Sequence, residues 1–184
     1  CARISQQLNQ LTKQAQFNLE LLPLVKVASP SAANSLSGGD WDVTLVYACT
    51  GGGELLRACL GLKADNLVFV RHRSGPIYYW YQALSTRYLA ADPPGSAPSQ
   101  PLDARRPHVE DVVVDDYREL LWKLRALHAV KNFLGTRIVA LGGPWGKYAP
   151  DAPQKSQERF GLHIIDVSYQ QFEPRIRAAL ADPK

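Results

Sequence analysis

Short runs of strand-forming residues alternate along the chain with longer segments that have helical periodicity. The runs are rich in Val, Ile, Leu and Phe and are mostly continuous, which is typical of strands covered on both faces. Strands that alternate with helices pair in parallel and carry helices on both sides of the sheet. The sequence therefore predicts an α/β fold with a Rossmann- or flavodoxin-like, doubly wound parallel sheet. Strands are predicted at residues 43–48, 67–70, 112–114, 136–141 and 162–167.

Helices are predicted between these runs from the spacing of apolar residues and from start and stop signals. The strongest lies at residues 116–134, where acidic residues at the start and Lys131 near the end suit the helix dipole. Residues 18–28 resemble an edge or irregular strand, because Pro23 interrupts an otherwise apolar run. Further helices are predicted at residues 3–16, 30–37, 55–60, 77–89, 153–160 and 168–181.

The long helix at residues 116–134 is the predicted boundary between two domains. Residues 1–115 are predicted to form an N-terminal Rossmann-like domain, and residues 116–184 the beginning of a second α/β domain that is incomplete. Residues 92–107 combine several Pro with Gly and Ser, which is typical of an extended surface loop. This Pro-rich insert belongs to the first domain, because a strand and a helix resume directly after it.

Composition narrows the class of protein. The net charge is +4 and no dense run of Lys or Arg occurs, so charge does not indicate nucleic-acid binding. No apolar run approaches the ~18 residues of a membrane span. Met is absent, which indicates a processed, trimmed or fragmentary chain. A fragment of a cytoplasmic protein is the preferred interpretation, and a lipoprotein cleaved before Cys1 is the alternative.

The cysteines have neither metal-ligand nor disulfide spacing. No C-x-x-C pair occurs and no paired His lies near them. Cys49 and Cys59 lie in apolar surroundings, and both are predicted to be small core residues.

The polar cluster after the strand at residues 67–70 is the first candidate for a binding site. In open α/β sheets, ligands bind just beyond the carboxyl ends of the strands. The cluster combines positive charge, an imidazole and a hydroxyl, which suits a polyhydroxylated or anionic small molecule. The alternative, of about equal weight, is a solvated turn whose arginines pair with nearby carboxylates. The predicted substrate-binding residues of the cluster are Arg71, His72, Arg73 and Ser74.

A glycine-rich turn follows the strand at residues 43–48 and precedes a helix. Exposed backbone N–H groups in such a turn can bind an anion. The turn lacks the spaced glycines of a dinucleotide fingerprint and the Lys-Ser/Thr pair of a phosphate loop. A turn close to a ligand and plain helix capping are equally good interpretations. The residues of this anion or turn site are Thr50, Gly51, Gly52 and Gly53.

No catalytic motif can be assigned from the residues alone. Ser74 is not in a G-x-S-x-G elbow, and no H-x-x-E-H or related metal motif occurs. The acidic residues before and at the start of the long helix offer oxygen ligands for a hard cation. A solvated turn and helix cap is the favoured interpretation of this run, which comprises Glu110, Asp111, Asp115 and Asp116.

Three segments of the chain resemble the sugar isomerases of the L-fucose and L-arabinose isomerase group. They follow one another in order along the chain. The first segment is Arg71-His72-Arg73-Ser74-Gly75-Pro76 with Tyr78 and Trp80. The second runs from Tyr117 to Leu127 and on to Gly135–Gly143, and the third from Glu158 to Tyr169.

The resemblance implies the N-terminal part of an enzyme that interconverts aldoses and ketoses with Mn²⁺ or another divalent metal. It implies two Rossmann-like domains, a C-terminal domain and a homo-oligomer in which a first domain helps to complete a neighbour's site. The family's metal ligands lie beyond Lys184, so no metal ligand and no catalytic residue is assigned, and this part is expected to be inactive alone. The resemblance adds Trp80 to the substrate-positioning residues.

The expected partner is a small-molecule sugar, with neither nucleic acid nor a membrane span. Two alternatives stay open at this point. One is a non-catalytic α/β module that binds a sugar or an effector. The other is a flavodoxin-like domain that binds a phosphorylated ligand at residues 50–53.

Overall fold

A computed structural model describes residues 1–49, 52–63, 65–71, 85, 89, 107–146 and 148–182. The residues form two compact units, Cys1–Arg125 and Ala126–Lys184. These units are defined by contacts between residues, whereas the predicted boundary between residues 115 and 116 separates two domains that fold independently. That boundary therefore stays a prediction.

A three-stranded parallel sheet forms the centre of the first unit. Its strands are β1 (Thr44–Tyr47), β2 (Asn66–Val70) and β3 (Val112–Val114), in the order β1-β2-β3. All residues of the central strand β2 are buried, because it pairs with a strand on each side and both faces of the sheet are covered. The predicted parallel α/β architecture is confirmed at this level.

Different elements cover the two faces of this sheet. On one face, Leu56 and Leu60 of helix α3 (Gly53–Leu60) pack in a cluster with apolar side chains of β2 and β3. On the other face, Phe69 of β2 contacts the ring of Tyr117, the first residue of the long helix Tyr117–Phe133. Val68 and Phe69 are neighbours in β2, so their side chains point to opposite faces of the sheet. Each packs against the elements that cover its own face.

Two further helices precede β1. Helix α1 (Ala2–Gln14) buries Ile4 and Leu11, which confirms the apolar stripe predicted for this segment. Helix α2 (Pro30–Asn34) begins after Ser29, whose hydroxyl accepts a hydrogen bond from the Ala32 N–H at 3.2 Å. This is the predicted helix start, with Pro at the first helical position.

The helix Tyr117–Phe133, α4, follows the acidic residue Asp116. The Asp116 carboxylate accepts hydrogen bonds from the N–H groups of Arg118 at 2.8 Å and Glu119 at 3.3 Å. Both N–H groups belong to the first turn, which has no acceptors of its own. These bonds hold the pKa of the Asp116 carboxyl below its usual value.

Replacing Asp116 with alanine is expected to lower the melting temperature at neutral pH. Since the pKa of Asp116 is lower in the folded chain, its stabilisation is complete above the usual Asp pKa of ~3.9. It is lost as the pH falls through the folded-state pKa. Thermal melts at pH 7 and pH 3 should therefore show a deficit for Asp116→Ala at pH 7 that shrinks at pH 3.

The control for this prediction is Asp116→Asn, which keeps a cap acceptor but cannot ionise. Its melting temperature should lie between those of the wild type and Asp116→Ala at pH 7. Equal melting temperatures for all three proteins at pH 7 would contradict a stabilising cap.

The second unit contains a two-stranded parallel sheet of β4 (Arg137–Leu141) and β5 (His163–Val167). Helix α5 (Ala152–Phe160) connects the strands and ends at Gly161, whose φ of 64° is the left-handed conformation that glycine adopts most easily. Helix α6 (Tyr169–Ala181) follows β5 and begins with a reciprocal cap between Ser168 and Gln171. All four elements were predicted within one or two residues.

The structure corrects the interpretation of residues 18–28. This segment has neither helix nor strand, and its Leu22 and Val25 are 51% and 56% exposed. Pro23 has no backbone N–H, so the middle of the run lacks a hydrogen-bond donor that a paired strand would use.

The structure also corrects the prediction for Cys49. It is exposed because it lies beyond the end of β1, whereas Cys59 of α3 is partly buried. Burial raises the pKa of the Cys59 thiol. The predicted helix at residues 77–89 and the insert at 92–107 lie outside the described residues, apart from residues 85, 89 and 107.

Among the described helices, none has both the length and the apolar composition needed to cross a membrane.

Candidate binding site at the carboxyl edge of the first sheet

The carboxyl ends of the three strands of the first sheet meet at one edge. The Ala48 N–H donates to the Phe69 carbonyl at 3.2 Å, and the Asp115 N–H donates to the Val70 carbonyl at 3.0 Å. These bonds continue the parallel pairing one residue past β1 and β3. The next residue of the central strand's chain is Arg71, which is partly buried. Arg71 therefore lies at the position where parallel sheets bind ligands.

An aromatic layer lies on the face of the sheet beneath this edge. The Phe69 ring packs against two tyrosine rings, with centroid separations of 5.0 Å from Tyr47 and 4.6 Å from Tyr117. Tyr47 and Phe69 are register partners in β1 and β2, so their side chains point to the same face. Phe69 is 1% exposed and supports both partly exposed tyrosine rings.

A chain of hydrogen bonds joins the two tyrosine hydroxyls to helix α1. The Tyr117 hydroxyl donates to Oε1 of Gln7 at 2.7 Å, which is a good O–H···O distance. The Tyr47 hydroxyl donates to the Tyr117 hydroxyl at 3.4 Å, a longer and weaker contact. Three polar side chains from α1, β1 and α4 thus converge at this sheet edge, and all three are partly buried.

The electrostatic surroundings keep the Tyr47 phenol protonated. Burial raises the pKa of Tyr47 well above its usual value, and the hydrogen bond and charge of Tyr117 raise it further. The positive charge of Arg71 acts on the Tyr47 pKa in the opposite direction, and Cys49 adds a smaller increase. Arg71 and Cys49 both act on the Tyr47 pKa, so these three side chains share one local environment.

The acidic residues before and after β3 have structural partners. Asp111 accepts a hydrogen bond from the His108 N–H at 2.9 Å in a short 3₁₀-helix, Val109–Asp111. Asp116 caps α4. Asp115 has a φ of 56°, a left-handed conformation that Asp tolerates better than most residues and that turns the chain from β3 into α4. Asp111 and Asp116 therefore act as the caps that the favoured interpretation of the acidic run expected.

The structure describes Arg71 among the predicted substrate-binding residues and places it at the sheet edge. His72, Arg73, Ser74 and Trp80 lie outside the described residues, so their roles stay predictions. Of the predicted glycine-rich turn, Gly52 and Gly53 are described, and Thr50 and Gly51 are not.

Gly52 precedes the first turn of α3 without a side-chain cap. Its backbone is extended, with φ −87° and ψ 171°. Among the described residues, nothing lies within 4 Å of the position where a Cβ would be. The backbone at the start of α3 is therefore sterically accessible, as either interpretation of the turn requires.

Sequence reasoning missed Tyr47, Tyr117 and Gln7 as site residues. Tyr47 was counted within an apolar run and Tyr117 as the start of a helix. A tyrosine at the end of a strand, such as Tyr47, could have indicated a polar group at the sheet edge. Gln7 lies 110 residues from its partner Tyr117, and no local pattern points to it. Within the described part of the chain, no three His, Cys, Asp or Glu side chains are grouped as ligands of a metal ion would be.

No protein-family model, no curated protein and no solved structure matches this chain.

Proposed function

We propose that the chain is the N-terminal part of a metal-dependent sugar isomerase-like enzyme, and that its first unit binds the sugar. The observation that carries the proposal is the position of Arg71 directly after the central strand, at the sheet edge where Tyr47 ends β1. The sequence resemblance to the L-fucose and L-arabinose isomerase group supports the same ligand class. A Rossmann- or flavodoxin-like, doubly wound sheet is part of this proposal.

The chemistry of the edge suits a polyhydroxylated molecule. The Arg71 guanidinium offers several N–H donors in a fixed plane, and the tyrosine hydroxyls offer oxygen acceptors. A sugar hydroxyl is both donor and acceptor, so it can bond to both kinds of group. Partial burial strengthens these hydrogen bonds relative to water, because the surroundings are less polar.

The reaction itself is assigned to residues outside this chain. A divalent metal would polarise the sugar carbonyl and hydroxyl during the aldose-ketose conversion. We expect this chain to bind sugar, to assemble as a homo-oligomer and to show no turnover by itself.

Replacing Arg71 with alanine is expected to weaken sugar binding about 10- to 150-fold. A hydrogen bond from a charged group contributes about 1.5–3 kcal/mol, which corresponds to that loss. Isothermal titration of the wild type and Arg71→Ala with L-fucose and L-arabinose measures it. The matched control is Arg177→Ala, which removes an exposed arginine of α6 that pairs with Glu173. Equal affinities of the wild type and Arg71→Ala would contradict the proposal.

The same preparation separates the alternative functions. Sugar binding that never leads to metal-dependent turnover, even after the continuation past Lys184 is supplied, would favour a non-catalytic sugar or effector module. A melting temperature that rises with FMN or a nucleotide, but with no sugar, would favour a flavodoxin-like domain. In that case, the backbone N–H groups at the start of α3, which Gly52 precedes, are the expected contact for the phosphate.

A further inference from the structure

The carboxyl edge of the second sheet lies after β4 and β5, and we propose that it binds a ribonucleoside that carries no phosphate. The proposal concerns the second unit alone and does not rest on the sugar site of the first. One juxtaposition carries it: the carboxylate of Asp166 and the ring of Tyr169 lie beside the consecutive glycines Gly142 and Gly143. The ligand class that fits is a vicinal diol joined to a flat aromatic base.

The two strands end at the position where parallel sheets bind ligands. The Gly142 N–H donates to the Val167 carbonyl at 2.9 Å, so the pairing of β4 with β5 continues one residue past β4. Strand β4, helix α5 and strand β5 form one βαβ unit. In βαβ units that bind dinucleotides, an acidic residue about 20 residues after the glycine turn hydrogen-bonds a ribose hydroxyl. Asp166, near the carboxyl end of β5, has a similar spacing from Gly142.

The two glycines bring the carboxylate and the ring to the same place. Both have a left-handed backbone, with φ of 82° at Gly142 and 94° at Gly143. A Cβ on Gly142 would lie 2.5 Å from Cε2 of the Tyr169 ring, so only glycine lets the ring pack there. A Cβ on Gly143 would lie 3.7 Å and 3.8 Å from the two carboxylate oxygens of Asp166. Because glycine has no side chain, these two residues cover neither the ring nor the carboxylate.

Both groups are accessible to a ligand. Tyr169 is 69% exposed, and Asp166 is exposed as well. Among the described residues, the Asp166 carboxylate has no hydrogen-bond or ion-pair partner. A carboxylate can only accept, and its two oxygens can receive the hydroxyl protons of a vicinal diol. The Tyr169 ring offers a face on which a base can stack.

The start of α5 does not favour a phosphate. In a dinucleotide-binding fold the glycine turn leads straight into a helix, whose first N–H groups bind the pyrophosphate. Here residues 142–151 separate β4 from α5. Pro153 brings no N–H to the first turn, and the carboxylate of Asp151 before it pairs with Lys155. The negative charge of Asp166 would also repel a phosphate, so the geometry favours the nucleoside.

Isothermal titration of the wild-type chain with adenosine, 2′-deoxyadenosine and adenosine 5′-monophosphate tests the inference. Adenosine should bind about 10-fold or more tightly than 2′-deoxyadenosine, the value of one hydrogen bond to a charged group. The monophosphate should bind more weakly than adenosine. The inference is overturned by equal affinities for adenosine and 2′-deoxyadenosine, by tighter binding of the monophosphate, or by no binding of adenosine.

Two variants assign these effects to the residues of the site. Asp166→Ala should abolish the preference for adenosine over 2′-deoxyadenosine. Tyr169→Ala should weaken binding of both nucleosides about 5- to 150-fold, the range for a base stacked on an aromatic ring. The matched controls are Glu158→Ala, which removes an exposed carboxylate of α5, and Trp122→Ala, which removes an exposed ring of α4. Both controls should bind as the wild type does, and melting temperatures show that each variant folds.

A competition experiment separates this site from the proposed sugar site. Excess L-fucose should not displace adenosine, because the two ligands are assigned to different sheets. Displacement would overturn the assignment of adenosine to the second sheet. A wild type that binds adenosine but no sugar would contradict the proposed function and leave this inference standing.

Discussion

Replacing Phe69 with alanine is expected to destabilise the first unit by about 3–5 kcal/mol and to abolish the proposed sugar binding. Phe69 is 1% exposed and its ring contacts both tyrosines of the site. The substitution removes buried apolar surface and leaves a cavity against the rings of Tyr47 and Tyr117. Because both rings lose the surface on which they pack, their hydroxyls would no longer be held together.

Urea unfolding followed by circular dichroism measures the expected loss of stability, with the slope of the transition compared between proteins. The matched control is Trp122→Ala, which truncates an aromatic residue of α4 that is 66% exposed. That change should alter stability by no more than about 0.5 kcal/mol. A Phe69→Ala protein as stable as the control would show that this ring is not part of the core.

Replacing Asn66 with alanine is expected to cost the first unit about 2–3 kcal/mol, because two backbone carbonyls lose a buried donor. Asn66 begins β2 and is 6% exposed. Its Nδ2 donates to the Leu60 carbonyl at 3.0 Å and to the Lys63 carbonyl at 2.8 Å. The amide therefore ties the end of α3 to the strand that carries Arg71.

Hydrogen exchange of peptides that cover residues 60–71 measures this effect locally. The residues at the end of α3 and the start of β2 should exchange faster in Asn66→Ala. The matched control is Asn132→Ala, since Asn132 also donates to a helix carbonyl, that of His128 at 2.8 Å, but is exposed. It should leave exchange in residues 60–71 unchanged. Unchanged exchange in Asn66→Ala would contradict a tying role for this amide.

Strand β2, strand β3 and helix α4 were predicted closely because their signals are local. A run such as Leu67–Val70 has few options other than a buried strand, and Asp116 with the leucines of α4 specifies where a helix begins and which side is apolar. The prediction for residues 18–28 was wrong because an apolar run needs a neighbouring strand as well as β-forming residues.

The candidate site was predictable only in part. Arg71 was identified because a residue that directly follows a buried strand must lie at the sheet edge. Cys49 follows β1 in the same way, yet its apolar neighbours led to a core prediction, and it is exposed. Tyr47 and Tyr117 are 70 residues apart, so their hydroxyl contact depends on the pairing of β1 with β2 and on the entry of α4.

The amino-acid order by itself determined where most of the described strands and helices begin and end, because burial patterns, caps and turn glycines act over a few neighbouring residues. Only the tertiary structure decided which polar groups meet at the edge of the first sheet. The parallel register places Tyr47 beside Phe69, and the packing of α1 and α4 then brings Gln7 and Tyr117 to them. Contacts between residues so far apart in the chain arise from packing of whole elements, which no local pattern encodes.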